Sequence, residues 1–115
     1  MIKCLIKKKT FEIHGTGKQV RDFIYVDEII NKLNNLIRKK LSKLTYNFDT
    51  KKKISINSII NIINSIYKKK KLKTIHVKAP DVYDVSISKE IKKNSSRNLI
   101  LNLIKTINWY NSEII

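Results

Sequence analysis

Phe11 and Ile13 alternate with polar neighbours, Gly15-Thr16-Gly17 interrupts them, and from Gln19 to Val26 polar and apolar side chains are interleaved again. A period of two marks a half-buried strand, and glycine supplies the positive φ angles that a tight reversal needs. The pattern predicts a β-hairpin, with Phe11 and Ile13 on the first strand and Gln19 to Val26 as the second. At Asp27 the period changes. Ile29, Leu33, Leu36, Ile37, Leu41 and Leu44 recur at helical spacing, Asp27 reads as the N-cap, and Glu28 with Lys32 forms an i,i+4 pair. Tyr46 to Phe48 predicts a short strand closed by Asp49-Thr50 and a turn of lysines. Ser55 then caps a helix whose stripe is Ile56, Ile59, Ile60, Ile63 and Ile66. Isoleucine is a mediocre helix former, so tertiary packing has to hold that helix. Lys68 to Lys71 read as a solvated turn and Lys73 to Val77 as a strand, with Pro80 in the loop beyond. Ser88 caps a short helix to Lys93, Asn94-Ser95-Ser96 breaks it, and Leu99 to Tyr110 is a last amphipathic helix. The expected order is β-hairpin, α, β, α, β, α: a mixed α/β chain, residues 1–115 as a single domain.

The net charge of +16 over 115 residues would ordinarily suggest an acidic partner. Its make-up weakens that inference. Of the 25 basic residues 22 are Lys and 3 are Arg, beside 22 Ile and 12 Asn, a composition expected of an AT-rich coding sequence. Phosphate and base recognition favour the bidentate fork of arginine. Lysines spread along the whole chain read instead as a solvated surface, and nucleic acid is disfavoured as a partner. Cys4 is the only cysteine, which excludes a disulfide framework and a cysteine metal site. The apolar start is broken by Lys3 and by Lys7 to Lys9, unlike a signal peptide. The longest uncharged run, Ile54 to Tyr67, contains three asparagines and is too short to span a bilayer. The expectation is a soluble cytoplasmic protein with no membrane partner.

The glycines invite two phosphate readings, and both fail. A Walker A loop needs glycine where the chain has Glu12, and Ser or Thr where it has Gln19. A dinucleotide fingerprint needs a third glycine, and Val20 stands there. On the strand that follows, period two places Val20, Asp22, Ile24 and Val26 on one face, and Gln19, Arg21, Phe23 and Tyr25 on the other. Arg21 beside two aromatic rings is a combination able to hold a phosphate, although a solvated strand arginine fits equally well. Asp22, among apolar neighbours, must find hydrogen-bond donors. His14 and His76 have no partner at ligand spacing and read as structural. No Ser-His-Asp or Cys-His grouping is legible, and Trp109-Tyr110 is expected to close the domain by packing.

Taken together, "GTGKQVRDFIYVDEIINKL" resembles the G-x-G-x-x-x-R-D-[FY]-[IV]-[YH]-V-x-D segment of NAD-dependent epimerases and dehydratases. These are the extended short-chain dehydrogenases/reductases that act on nucleotide sugars. Further landmarks follow in order: "YNFDTKKKISINSIINII", "KAPD", "ISK" and "LIKTINWY" are similar to later motifs of that family. The resemblance implies the carboxy-terminal, substrate-binding part of a Rossmann-type enzyme. By position it implies that Arg21 is the first diphosphate contact and that Phe23 takes the place of a phosphate-proximal Tyr. Lys78 stands for the second arginine and Asp81 for the acid that binds the nucleotide ribose. Lysine at 78 keeps the charge and loses the bidentate geometry.

The family's glycine-rich cofactor loop and Tyr-x-x-x-Lys pair are not among these 115 residues. Tyr67 and Lys71 have the spacing but lie in a lysine run. The expectation is therefore a truncated or split UDP-glucose-4-epimerase-like enzyme that binds a UDP- or dTDP-sugar. NAD belongs to the full-length family, none is expected to bind here, and no turnover is expected alone. The natural partners are a separately encoded amino-terminal half or a second copy. The alternatives are a small basic protein that binds nucleic acid or an anionic surface through its lysines, and a fragment marked by exposed apolar patches.

Overall fold

The computed structural model describes residues 1–39, 45–50, 52–68, 70–79 and 97–113, and of Arg97 only its backbone. The fold is mixed α/β, as the sequence implies, but its strands pair differently. β1 (Phe11–His14) and β2 (Val20–Asp22) form no hairpin. β1 pairs in parallel with β4 (Thr74–Val77), with Phe11 opposite Thr74 and His14 opposite Val77. β2 pairs antiparallel with β3 (Lys53–Ser55), Val20 lying opposite Ser55 and Asp22 opposite Lys53. The glycine turn carries the chain from one two-stranded sheet to the other. Gly15 and Gly17 have φ of +79° and +73°, angles at which an ordinary side chain is strained.

Three more expectations change. Lys53–Ser55, read as the end of a lysine turn, is a strand, and Tyr46–Phe48 is not. The helix α2 (Val26–Ile37) starts one residue earlier than its sequence cap: Tyr25 is the N-cap, without a side-chain bond, and Asp27 lies in the first turn. An additional short helix, α1 (Ile2–Ile6), opens the chain. It ends in a Schellman motif, Lys9 N donating to Cys4 O at 2.8 Å and Lys8 N to Leu5 O at 3.3 Å. Leu41, Leu44 and the Ser88–Lys93 helix lie outside the described residues.

The second long helix behaves as read. α3 (Ile56–Ile66) starts on Ser55, whose Oγ accepts from Ser58 N at 3.1 Å. Its stripe is the centre of the core: Ile59 and Ile63 are each 1 % exposed, with Leu5, Ile13, Ile60, Leu72 and Leu103 packed around them. Burial of each such side chain is worth about 1.5–3 kcal/mol, which outweighs the weak helix propensity of isoleucine. α4 (Arg97–Glu113) closes over this core through Leu103 and Ile107, longer at both ends than its periodicity suggests. Trp109 does not pack the domain closed. It is 56 % exposed and meets Tyr110 edge-to-face at 5.0 Å. Among the described residues no helix is long and apolar enough to cross a membrane.

Candidate functional site

The parallel pair β1/β4 ends where the glycine loop begins, and the loop is fastened there on both sides. Gly15 N donates to Val77 O at 2.9 Å, His76 Nδ1 lies 2.8 Å from Gly15 O, and Gln19 Nε2 donates to His14 O at 2.8 Å. On the other flank Asn57, in the first turn of α3, holds the loop twice: its N–H donates to Gly17 O and its Nδ2 to Thr16 O, each at 3.0 Å. A Cβ on Gly17 would fall 2.7 Å from Asn57 Cγ, so the glycine also permits this close approach. Asn57 was not singled out by its sequence pattern. An asparagine in the first turn of the helix, next to the loop's partner strand, was the available signal.

Lys78 follows β4 directly, exposed, and Ala79 comes next against the loop: a Cβ on Gly15 would touch Ala79 Cβ at 3.5 Å. Arg21 follows the other end of the loop, exposed on β2, with Nη1 donating to Val20 O at 2.8 Å. That bond engages one of the five guanidinium N–H groups. Asp22 finds its donors on Thr50: the backbone N–H donates to Oδ2 at 2.7 Å and the hydroxyl donates to Oδ1. The carboxylate is exposed and not enclosed by apolar neighbours.

The aromatic platform read beside Arg21 separates, because β2 ends at Asp22 and its alternation ends with it. Phe23 packs against the hydrophobic core, and Tyr25 has Lys105 Nζ 5.5 Å from its ring centroid. Asp81 lies outside the described residues. Arg21 lies on β2, the strand after the glycine loop, and Lys78 follows β4, the strand to which the loop is tied. His14 is exposed, and no group of metal-ligating side chains occurs among the described residues.

A helix N-terminus is the usual seat for a dinucleotide pyrophosphate. Here the first amides of α3 are engaged: Ile56 N by Gln19 O, Asn57 N by Gly17 O, and Ser58 N by Ser55 Oγ. Those three amides are therefore already partnered within the fold.

The α/β fold puts Lys78 at the carboxyl end of a parallel strand, the end at which open α/β sheets as a class bind their ligands. No family model matches the sequence. The chain is 37 % identical over 65 residues to a dTDP-D-glucose 4,6-dehydratase of Dictyostelium discoideum, a match covering 53 % of this chain and 15 % of that protein. Its fold is similar to that of TunA, an NAD-dependent NDP-hexosamine 5,6-dehydratase involved in tunicamycin biosynthesis, with a TM-score of 0.76 and 19 % identity. It is also similar to a UDP-N-acetylglucosamine 4-epimerase of Methanobrevibacter ruminantium in complex with UDP-N-acetylmuramic acid, with a TM-score of 0.73 and 24 % identity. In both comparisons 97 % of this chain is covered, against 39 % and 38 % of the solved chains. These likenesses relate the chain to the NAD-dependent epimerases and dehydratases of the extended short-chain dehydrogenase/reductase type, of which it spans well under half the length.

Proposed function

We propose that residues 1–115 form the nucleotide-sugar-binding part of an NAD-dependent epimerase or dehydratase. Arg21 and Lys78 neutralise the diphosphate of a UDP- or dTDP-sugar, and Asp81 accepts from the nucleotide ribose. The cofactor and the catalytic base come from residues outside this sequence, so these 115 residues bind without turning over, in a cytoplasmic setting. The observation that carries this reading is the glycine loop, tied to the carboxyl ends of β1 and β4, with Lys78 beside it and Arg21 just beyond it. Charge-assisted contacts to phosphate are worth about 1.5–3 kcal/mol each. Titration of UDP-glucose and dTDP-glucose by calorimetry is expected to show saturable binding, weakened roughly tenfold or more by Arg21→Ala. Equal affinity in the variant would overturn the assignment.

One observation favours a second reading. Two lysine runs far apart in sequence meet around a shallow depression lined by Cys4, Leu5, Lys8, Lys9, Lys70, Lys71, Leu72 and Lys73. If this surface serves nucleic acid, binding to random duplex falls with salt at about 0.9 log units per phosphate neutralised. Random-duplex binding that persists at moderate salt would favour it over the sugar-nucleotide reading.

A further inference from the structure

The lysine-lined depression supports a deeper conclusion, which rests on the second reading above. It sits at the amino ends of β1 and β4: Lys8 and Lys9 lead into the one strand, Lys70, Lys71 and Lys73 into the other. Strands of four residues, rising about 3.3 Å each, put it roughly 13 Å from the carboxyl ends, where Lys78 and the glycine loop lie. Its lysines are not a loose solvated run. Phe11 N donates to Lys73 O at 2.8 Å and ties the two runs together, and Leu72 N donates to Asn64 Oδ1 at 2.8 Å. The turn after α1 fixes Lys8 and Lys9, and Leu5 and Leu72, 2 and 5 % exposed, form the floor. None of the five lysines has a carboxylate partner among the described residues. Lys8 also holds φ of +58°, where glycine would relieve the backbone and remove the charge. Backbone strain within a cluster of like charge points to an anionic partner.

The lining selects among such partners. It holds no arginine fork and no aromatic ring, so neither base edges nor stacked bases are read there. Its two leucines are buried and cannot insert into a bilayer. What remains is recognition of charge alone, which favours duplex nucleic acid, with one negative charge per about 1.7 Å of axis. We propose that Lys8, Lys9, Lys70, Lys71 and Lys73 form a site for the phosphate backbone of a double-stranded nucleic acid, independent of its sequence.

The test is fluorescence anisotropy of a labelled random duplex, titrated with the whole 115-residue chain over a series of salt concentrations. With five phosphates neutralised, log K is expected to fall by about 4.5 per log unit of salt. Lys8→Gly and Lys71→Gln are each expected to lower that slope by about 0.9. Lys39→Gln, exposed beyond α2 and outside the lining, is expected to leave it unchanged. Lys8→Gly relieves a strained backbone and should melt no lower than the native chain, so weaker binding in it is not a loss of fold. An unchanged slope in both depression variants, or preference for phosphatidylserine vesicles over the duplex, would overturn the proposal. An equal fall in Lys39→Gln, or tighter binding of the single strand, would overturn this site while leaving the second reading in place. Absence of any salt-dependent duplex binding would end both.

Discussion

Lys8 has φ of +58°, the one non-glycine residue in that region among those described, at the position after α1 where a Schellman motif ordinarily places glycine. An L-residue there is disfavoured by about 1–2 kcal/mol, part of which glycine returns to the unfolded chain as entropy. Lys8→Gly is expected to stabilise the protein by about 0.5–1 kcal/mol, read as a higher urea midpoint with an unchanged slope. Gly17 is the reverse case. Its φ of +73° and its contact with Asn57 leave no place for a methyl group. Gly17→Ala should cost about 1–3 kcal/mol, from backbone strain and from the displaced Asn57–Thr16 bond. Asn57→Ala, which loses only the side-chain bond, should cost less.

At the scale of elements, what was legible in the sequence was what neighbours decide. Ser55 and the isoleucine stripe of α3 need nothing beyond a cap and a period, and both are found as read. Ser55→Ala is expected to cost about 1 kcal/mol by chemical denaturation. Pairing was not legible. The partner of β1 lies beyond α3, and the partner of β2 is three residues that begin with lysine, so adjacent alternating stretches looked like a hairpin. α1 was hidden because five residues are too few to show a period. Of the stripe read for α2, Ile29 and Leu36 are half-buried while Leu33 and Ile37 are exposed, since periodicity gives a face and not what covers it. For the site, the resemblance named Arg21 and Lys78. The tie of the glycine loop to β4, and the part Asn57 plays in it, needed coordinates.

At the scale of the whole molecule, stability and charge are linked through the amino terminus. Burial holds the Met1 amino group below its ordinary value of 8.0, opposed by the charge of Cys4. The unfolded chain therefore binds more protons than the folded one in the window just below 8.0, and stability rises with pH there before levelling off. Nα-acetylation is expected to remove this slope from thermal melts taken between neutral and mildly alkaline pH.

The parallel ladder also has a consequence in time. Phe11 leaves the ribosome 63 residues ahead of Thr74, the first residue it must meet. At about 5–20 residues per second that is a delay of roughly 3–13 seconds. Through it, the first strand waits with its backbone amides and carbonyls unsatisfied, the state most open to capture by a chaperone or by another nascent chain.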